Sequence, residues 1–192
     1  MSEYRALDAT SVFLVYGALL LLSVLGDWHY GGSALASWQS AQPLPTGALI
    51  AAAIFVIVTT VASTLITSLF SWGAEIERVF QQILTPLSYL QILMLSVVSG
   101  FIEEWFFRGF LLSYFGLILS SIVFGLAHFL PARRIWRWSV WAFVAGLLLG
   151  WMQMKFQNLF LTAGTHAAIN FFLLLKLNLK AHRFVTRARM QR

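Results

Sequence analysis

The 192-residue chain has no cysteine and only four prolines, and charged residues make up just 10% of it. Without cysteine there is no disulfide framework and no thiolate to act as nucleophile or metal ligand. A soluble domain carries about 25% charged residues, so the deficit excludes an ordinary soluble protein. What fills the space is apolar: 59% of residues are hydrophobic and the mean hydropathy is +0.79. Apolar runs long enough to cross a hydrocarbon core about 30 Å thick recur along the chain. No proline interrupts them, and they lack the alternation of barrel strands, so they are expected to be helices.

Six spans are expected, at roughly 9–26, 47–71, 86–113, 116–131, 138–156 and 158–178, in an all-α polytopic membrane bundle. Trp28, Tyr30, Trp38, Trp72, Trp136 and Trp138 fall near their ends, where an interfacial aromatic belt belongs. The "ALA" at 34–36 lies too far beyond the first apolar run to end a cleavable signal peptide. Residues 1–192 read as one integral membrane domain, with a core over about 86–178 and a cytoplasmic tail over 179–192.

The formal charge of +6 is placed as a membrane protein places it. Lys176, Lys180, Arg183, Arg187, Arg189 and Arg192 gather at the tail, and Arg133, Arg134 and Arg137 in one loop. That pattern points to a lipid bilayer and away from nucleic acid. With an even number of spans, both termini are expected in the cytoplasm of a multi-pass cell-membrane protein; only Arg108 and Lys155 then fall toward the outer turns. Between spans two and three, "WGAEIERVFQQILTP" sets Ile76, Val79, Phe80, Ile83 and Leu84 on one face. Glu75, Arg78, Gln81 and Gln82 take the other. This predicts a short interfacial amphipathic helix, with Pro86 then opening the third span.

Against this background "SGFIEEWFFRGF" (99–110) stands out. Adjacent helical residues project about 100° apart, so Glu103 and Glu104 are expected to face different surroundings. Glu104 and Arg108 are i, i+4 neighbours and can neutralise each other. Glu103 has no local cation, and its face carries Ser96 and Ser99. An intramembrane ionisable group is a functional hypothesis by default. His128 on the fourth span, and His166 and Asn170 on the sixth, are the candidate partners; His29 and His182 read as solvated. Counted from the expected turns at Tyr114–Gly116 and Gln157–Asn158, all four lie about 12–18 Å deep, at one level. Gly146 and Gly150 read as helix packing, and Phe124 as a cavity wall.

These residues resemble a known family. "EEWFFRG" fits the E-E-x-x-x-R motif of the CPBP superfamily of CAAX proteases and bacteriocin-processing enzymes, "FGLAH" its F-x-x-x-H motif and "HAAIN" its H-x-x-x-N motif, in order. The resemblance covers about 99–171. It implies an intramembrane endopeptidase of the glutamic type, without a cofactor, in which Glu103 and His128 activate a water. His166 and Asn170 would stabilise the oxyanion, and Glu104 and Arg108 would support the third helix. The implied substrate is a peptide, lipidated or C-terminal and membrane-anchored. Chemically, a carboxylate in a partly desolvated cavity becomes a better base, and two convergent donors suit a developing oxyanion.

Two other readings remain open at this point. Glu103, His128 and His166 also form a His₂Glu set for zinc, although no H-E-x-x-H helix supplies two ligands. A non-proteolytic transporter, proton relay or immunity-type binding protein would also bury carboxylates and histidines.

Overall fold

The computed structural model describes residues 9–31, 43–84, 86–129 and 136–190, with side chains over 10–31, 43–84, 86–129 and 136–181. The "ALA" site, Trp38, Arg133 and Arg134 lie outside the described residues, as do the side chains of His182 and of the arginines beyond it. Among the described residues the protein is all helix. Helices α1 (Ala9–Tyr30), α2 (Thr46–Leu69), α3 (Ser71–Leu84) and α4 (Tyr89–Glu104) lead into a π-helical segment, Trp105–Leu111. Then come α5 (Leu112–Ala127), α6 (Trp136–Phe156) and α7 (Leu159–Met190).

Five helical stretches are long and apolar enough to cross a membrane: Thr10–Tyr30, Thr46–Leu69, Tyr89–Ala127, Trp136–Phe156 and Leu159–Ala181. Their apolar side chains face outward, Phe13, Ile57 and Ile118 among them, an arrangement stable only in lipid. This is a multi-pass membrane helix bundle. The third stretch contains two legs. Gly116, at φ 78° and ψ 173°, breaks the helix inside α5, and the chain doubles back there. A straight helix would hold Glu103 and His128 some 37 Å apart; their side chains approach to 3.8 Å. The third and fourth expected spans are these two legs.

Helix α4 begins at Tyr89 and not at Pro86. Ser88 is its cap: its Oγ accepts from the Gln91 amide at 3.2 Å, while Gln91 Oε1 accepts from the Ser88 amide at 2.8 Å. This reciprocal pairing satisfies two backbone donors that a start at Pro86 would leave open. Asn178 on α7 fixes the approach by bonding both the amide and the carbonyl of Leu87, at 3.0 and 2.9 Å.

Packing follows small residues. Helix α4 lies along α7, and α5 along α6. A Cβ on Gly100 would come within 2.8 Å of Ala167 Cα, so glycine there lets α4 and α7 approach closely just before Glu103 and just after His166. Gly146 and Gly150 hold α6 against α5, at Ser121 and Phe124 and at Leu117 respectively. The amphipathic α3 is present, but its apolar face is not given wholly to lipid. Ile76 and Val79 are buried among Trp72, Phe80, Ile83 and Trp138.

At Gly116 a built Cβ meets nothing within 4 Å, so the cost of a side chain there is purely conformational. Gly116→Ala is expected to lower unfolding free energy by about 1–3 kcal/mol. Gly17→Ala, in open space within α1, should be neutral or stabilising. Denaturation in detergent micelles compares the two.

Candidate active site

The site grows from the end of α4. Glu104 and Arg108 are almost completely buried, with Arg108 Nη1 2.7 Å from Glu104 Oε1. The expected i, i+4 pairing is therefore present, although a π-helical turn separates the two residues. Arg108 Nη2 donates to the Gly146 carbonyl on α6 at 3.2 Å. The guanidinium also lies over the Phe124 ring, 4.4 Å from its centroid. Phe124 is thus a buried partner of the cation on one side, and its ring lies 4.4 Å from that of His128 on the other.

Glu103 occupies a neighbouring face. Its Oε2 is buried and makes no direct hydrogen bond to the described residues. His128 Nε2 stands 3.8 Å from that oxygen and His166 Nε2 3.9 Å. His128 Nδ1 lies 2.8 Å from the Phe124 carbonyl. A carbonyl only accepts, so Nδ1 carries a proton, and the ring turns Nε2 toward Glu103.

The expectation that the two carboxylates face separate surroundings needs correction. His166 Nδ1 lies 2.9 Å from Glu104 Oε1, so one imidazole ring spans both acids, one at each nitrogen. A ring edge is wide enough to bridge side chains that diverge by a single helical step. Asn170, one turn further along α7, donates from Nδ2 to Ser99 Oγ at 2.8 Å. Ser99 in turn donates to the Ser96 carbonyl at 3.2 Å. All four expected residues are brought together.

A cavity of about 300 Å³ opens against this cluster, lined by Glu103, His128, Ser99 and Asn170. Sequence reasoning missed one member. Tyr16 on α1 lines the same cavity, and its hydroxyl donates to Glu103 Oε1 at 3.0 Å. The only signal was a phenol in the middle of an apolar span, with Ser23 two turns further on the same face.

A second missed constellation lies toward the cavity's far end. Lys176 and Lys180, read from sequence as part of the basic cytoplasmic flank, both reach Glu77 on α3, at 3.0 and 2.7 Å. Burial pushes the Glu77 carboxyl up, but hydrogen bonds from Lys180, Thr67 and Lys176 outweigh it and hold the group below its ordinary value of 4.5. The pairing therefore stabilises the fold at neutral pH, and that contribution disappears as pH falls through the lowered value.

The model of the Rce1-like family, described as type II CAAX prenyl endopeptidase Rce1-like, matches residues 85–172. This core is similar to that family. The motif resemblance to CAAX proteases therefore holds for the segment that carries Glu103, His128, His166 and Asn170. The chain is also 30% identical over 104 residues to the uncharacterized protein YpbD of Bacillus subtilis (strain 168). That alignment covers 53% of this chain and 51% of the relative, so the chain spans about half the length of the curated relative it matches. No solved structure matches.

Removing the cation from the buried pair should show its weight. Arg108→Met strands Glu104 and is expected to cost about 3–5 kcal/mol. The double variant Arg108→Met, Glu104→Gln should be milder, because no charge is left alone. Thermal unfolding of the two in detergent measures the difference.

Proposed function

We propose that the protein is an intramembrane endopeptidase of the glutamic type, cutting a peptide bond in a membrane-anchored or C-terminal segment of a protein. The observation that carries this reading is Glu103 Oε2, a buried oxygen facing two imidazole nitrogens at the wall of a cavity. Separations of 3.8 and 3.9 Å are too long for direct hydrogen bonds and suit a bridging water. In this reading Glu103 takes a proton from that water, and the oxygen adds to the scissile carbonyl. His128, whose Nε2 faces Glu103, completes the water's alignment and relays the proton to the leaving amine.

The oxyanion falls to α7. Asn170 spends one amide N–H on Ser99 and keeps a second for the substrate oxygen. His166 has a stricter requirement. With Nδ1–H given to Glu104, its Nε2 donates only when the ring is an imidazolium. Tyr16 is a positioning residue that turns Glu103 so that Oε2 faces the histidines.

The zinc reading shares these residues. Both histidines have Nδ1 held by an acceptor, as metal-bound histidines do. No H-E-x-x-H helix supplies two closely spaced ligands, and the metal-free reading is the one proposed. The prenyl group named by the matching family, and the cell membrane as location with both termini cytoplasmic, belong to the same proposal.

Comparing protein termini in membranes that hold wild-type or Glu103→Gln protein tests the reaction. Termini produced by the enzyme should vanish with Glu103→Gln and with His128→Ala, while both variants remain folded. Processing at the normal rate by Glu103→Gln would overturn the assignment. Cleavage by purified, metal-analysed protein should survive exhaustive chelation; loss restored by zinc would favour the other mechanism. Tyr16→Phe should lower kcat with little change in KM or in melting temperature.

A further inference from the structure

A second cavity, of about 310 Å³, lies beside the active-site cavity, and Ile76 and Trp138 line both. It is bounded by the end of α2, the start of α3 and the first turns of α6. Among the described residues, the one charged group in its wall is Arg137. The guanidinium lies over the Trp72 ring, 5.4 Å from the centroid, and over the Trp136 ring at 5.3 Å. Two indoles from different helices thus hold the cation in place. Arg137 makes no hydrogen bond or ion pair with the described residues. A guanidinium has five N–H donors, and here they are left to be matched.

The charge around this group is one-sided. Within α3, the start of α6 and the described end of α7, Arg78, Arg137, Lys176 and Lys180 stand against Glu75 and Glu77. Glu77 is already taken by both lysines. An anion is the complement that this end of the bundle lacks. The rest of the wall suits hydrocarbon. Val140 and Val144, one turn apart on α6 and nearly half exposed, carry the cavity onto the lipid-facing surface, with Ile66 contributed by α2. Val144 lies about 10 Å along α6 from Arg137 at 1.5 Å per residue. The cavity therefore grades from a cation between indoles into an apolar slot open to acyl chains. A soluble anion would leave that slot unfilled, and a neutral lipid would leave the guanidinium unmatched.

We infer that this cavity binds an anionic glycerophospholipid, with its phosphate on Arg137 and the upper part of one acyl chain against Ile66, Val140 and Val144. A guanidinium offers a phosphate two parallel N–H bonds, and tryptophan is favoured at the level of lipid headgroups. Headgroup and chain are taken together, so the site selects lipids by charge. It is independent of the chemistry at Glu103. It adjoins the active-site cavity at Trp138, whose ring lies 6.2 Å from that of His128.

Counting bound lipid on the intact protein tests this. Wild-type protein in dodecyl maltoside is titrated with dioleoyl phosphatidylglycerol or dioleoyl phosphatidylcholine, and the complexes are resolved by native mass spectrometry. The first phosphatidylglycerol should bind at least about tenfold more tightly than phosphatidylcholine. Arg137→Gln should weaken phosphatidylglycerol about tenfold, the loss expected for charge-assisted hydrogen bonds, and leave phosphatidylcholine unchanged. Arg137→Lys keeps the charge without the fork and should fall between. Val144→Trp, which fills the slot without touching charge, should also weaken phosphatidylglycerol. Arg78→Gln removes an exposed cation from the same end of the bundle and should change nothing.

Equal affinity for the two lipids overturns the inference. So do equal losses from Arg137→Gln and Arg78→Gln, which would mean a diffuse field and no site. Phosphatidylglycerol binding that survives Val144→Trp would remove the acyl slot, and inorganic phosphate that displaces the lipid and binds as tightly would make the ligand a soluble anion; either result sinks the proposal. Melting temperature in lipid-free detergent is read for every variant. If Arg137→Gln proves unfolded, Arg137→Lys and Val144→Trp decide by the same titration.

Discussion

The buried contact between Glu104 and Arg108 is the constraint on which the rest of the site depends. Neither group survives alone at that depth: an uncompensated charge costs several kcal/mol, whereas the pair is tolerable. Having been forced together, they define geometry around them. Arg108 spends its second nitrogen on the Gly146 carbonyl and its face on Phe124, which ties the π-helical segment to α5 and α6. Glu104 accepts from His166 and so ties α4 to α7. One ion pair thus registers the elements that bear the other side chains, and Glu103, adjacent in sequence, inherits its position from it.

That inheritance explains how one carboxylate can be structural and its neighbour available. Glu104 Oε1 is met by Arg108 and His166 together. Glu103 receives a hydrogen bond from Tyr16 on one oxygen and faces two imidazoles on the other, beyond direct bonding distance. Each acid keeps its Oε2 without a hydrogen-bond partner among the described residues, and what sets Glu103 apart is that it lines the cavity whereas Glu104 does not. The division follows from a single step along a helix. The π-helical turn that follows it keeps Phe107, Arg108 and Gly109 buried together.

Much of this was legible in the sequence for physical reasons. Low charge and long apolar runs determine a bundle, and i, i+4 spacing determines the Glu104–Arg108 pair. Depth counting brought His128, His166 and Asn170 to the level of Glu103 because helical rise is nearly constant. Other features were illegible for equally physical reasons. A ring that bridges two divergent carboxylates depends on where α7 packs, which periodicity does not encode. Tyr16 meets Glu103 only because α1 lies against α4, a contact with no local signature. Pro86 looked like a helix start because a proline is welcome there, but the Ser88–Gln91 box satisfies more backbone groups and wins. Lys176 and Lys180 read as a basic cytoplasmic flank, since sequence does not show that α3 brings Glu77 to them.

The segments outside the Rce1-like match therefore do not merely anchor it. The matched residues 85–172 contain the two acids, both histidines and the amide. They contain none of Tyr16, Thr67, Glu77 or Lys176, yet all of these line the same cavity. The cavity walls are in large part built by α1, α2, α3 and the end of α7. In the proposed reading, chemistry and recognition then occupy different parts of one chain. The reacting groups sit on helices tied together by the buried Glu104–Arg108 pair, so that segment has little freedom to vary. The cavity's remaining walls touch the reacting groups through few contacts, chiefly the Tyr16 hydroxyl. Changes in α1–α3 can reshape what the cavity admits while leaving the geometry around Glu103 intact, provided that one hydrogen bond is kept.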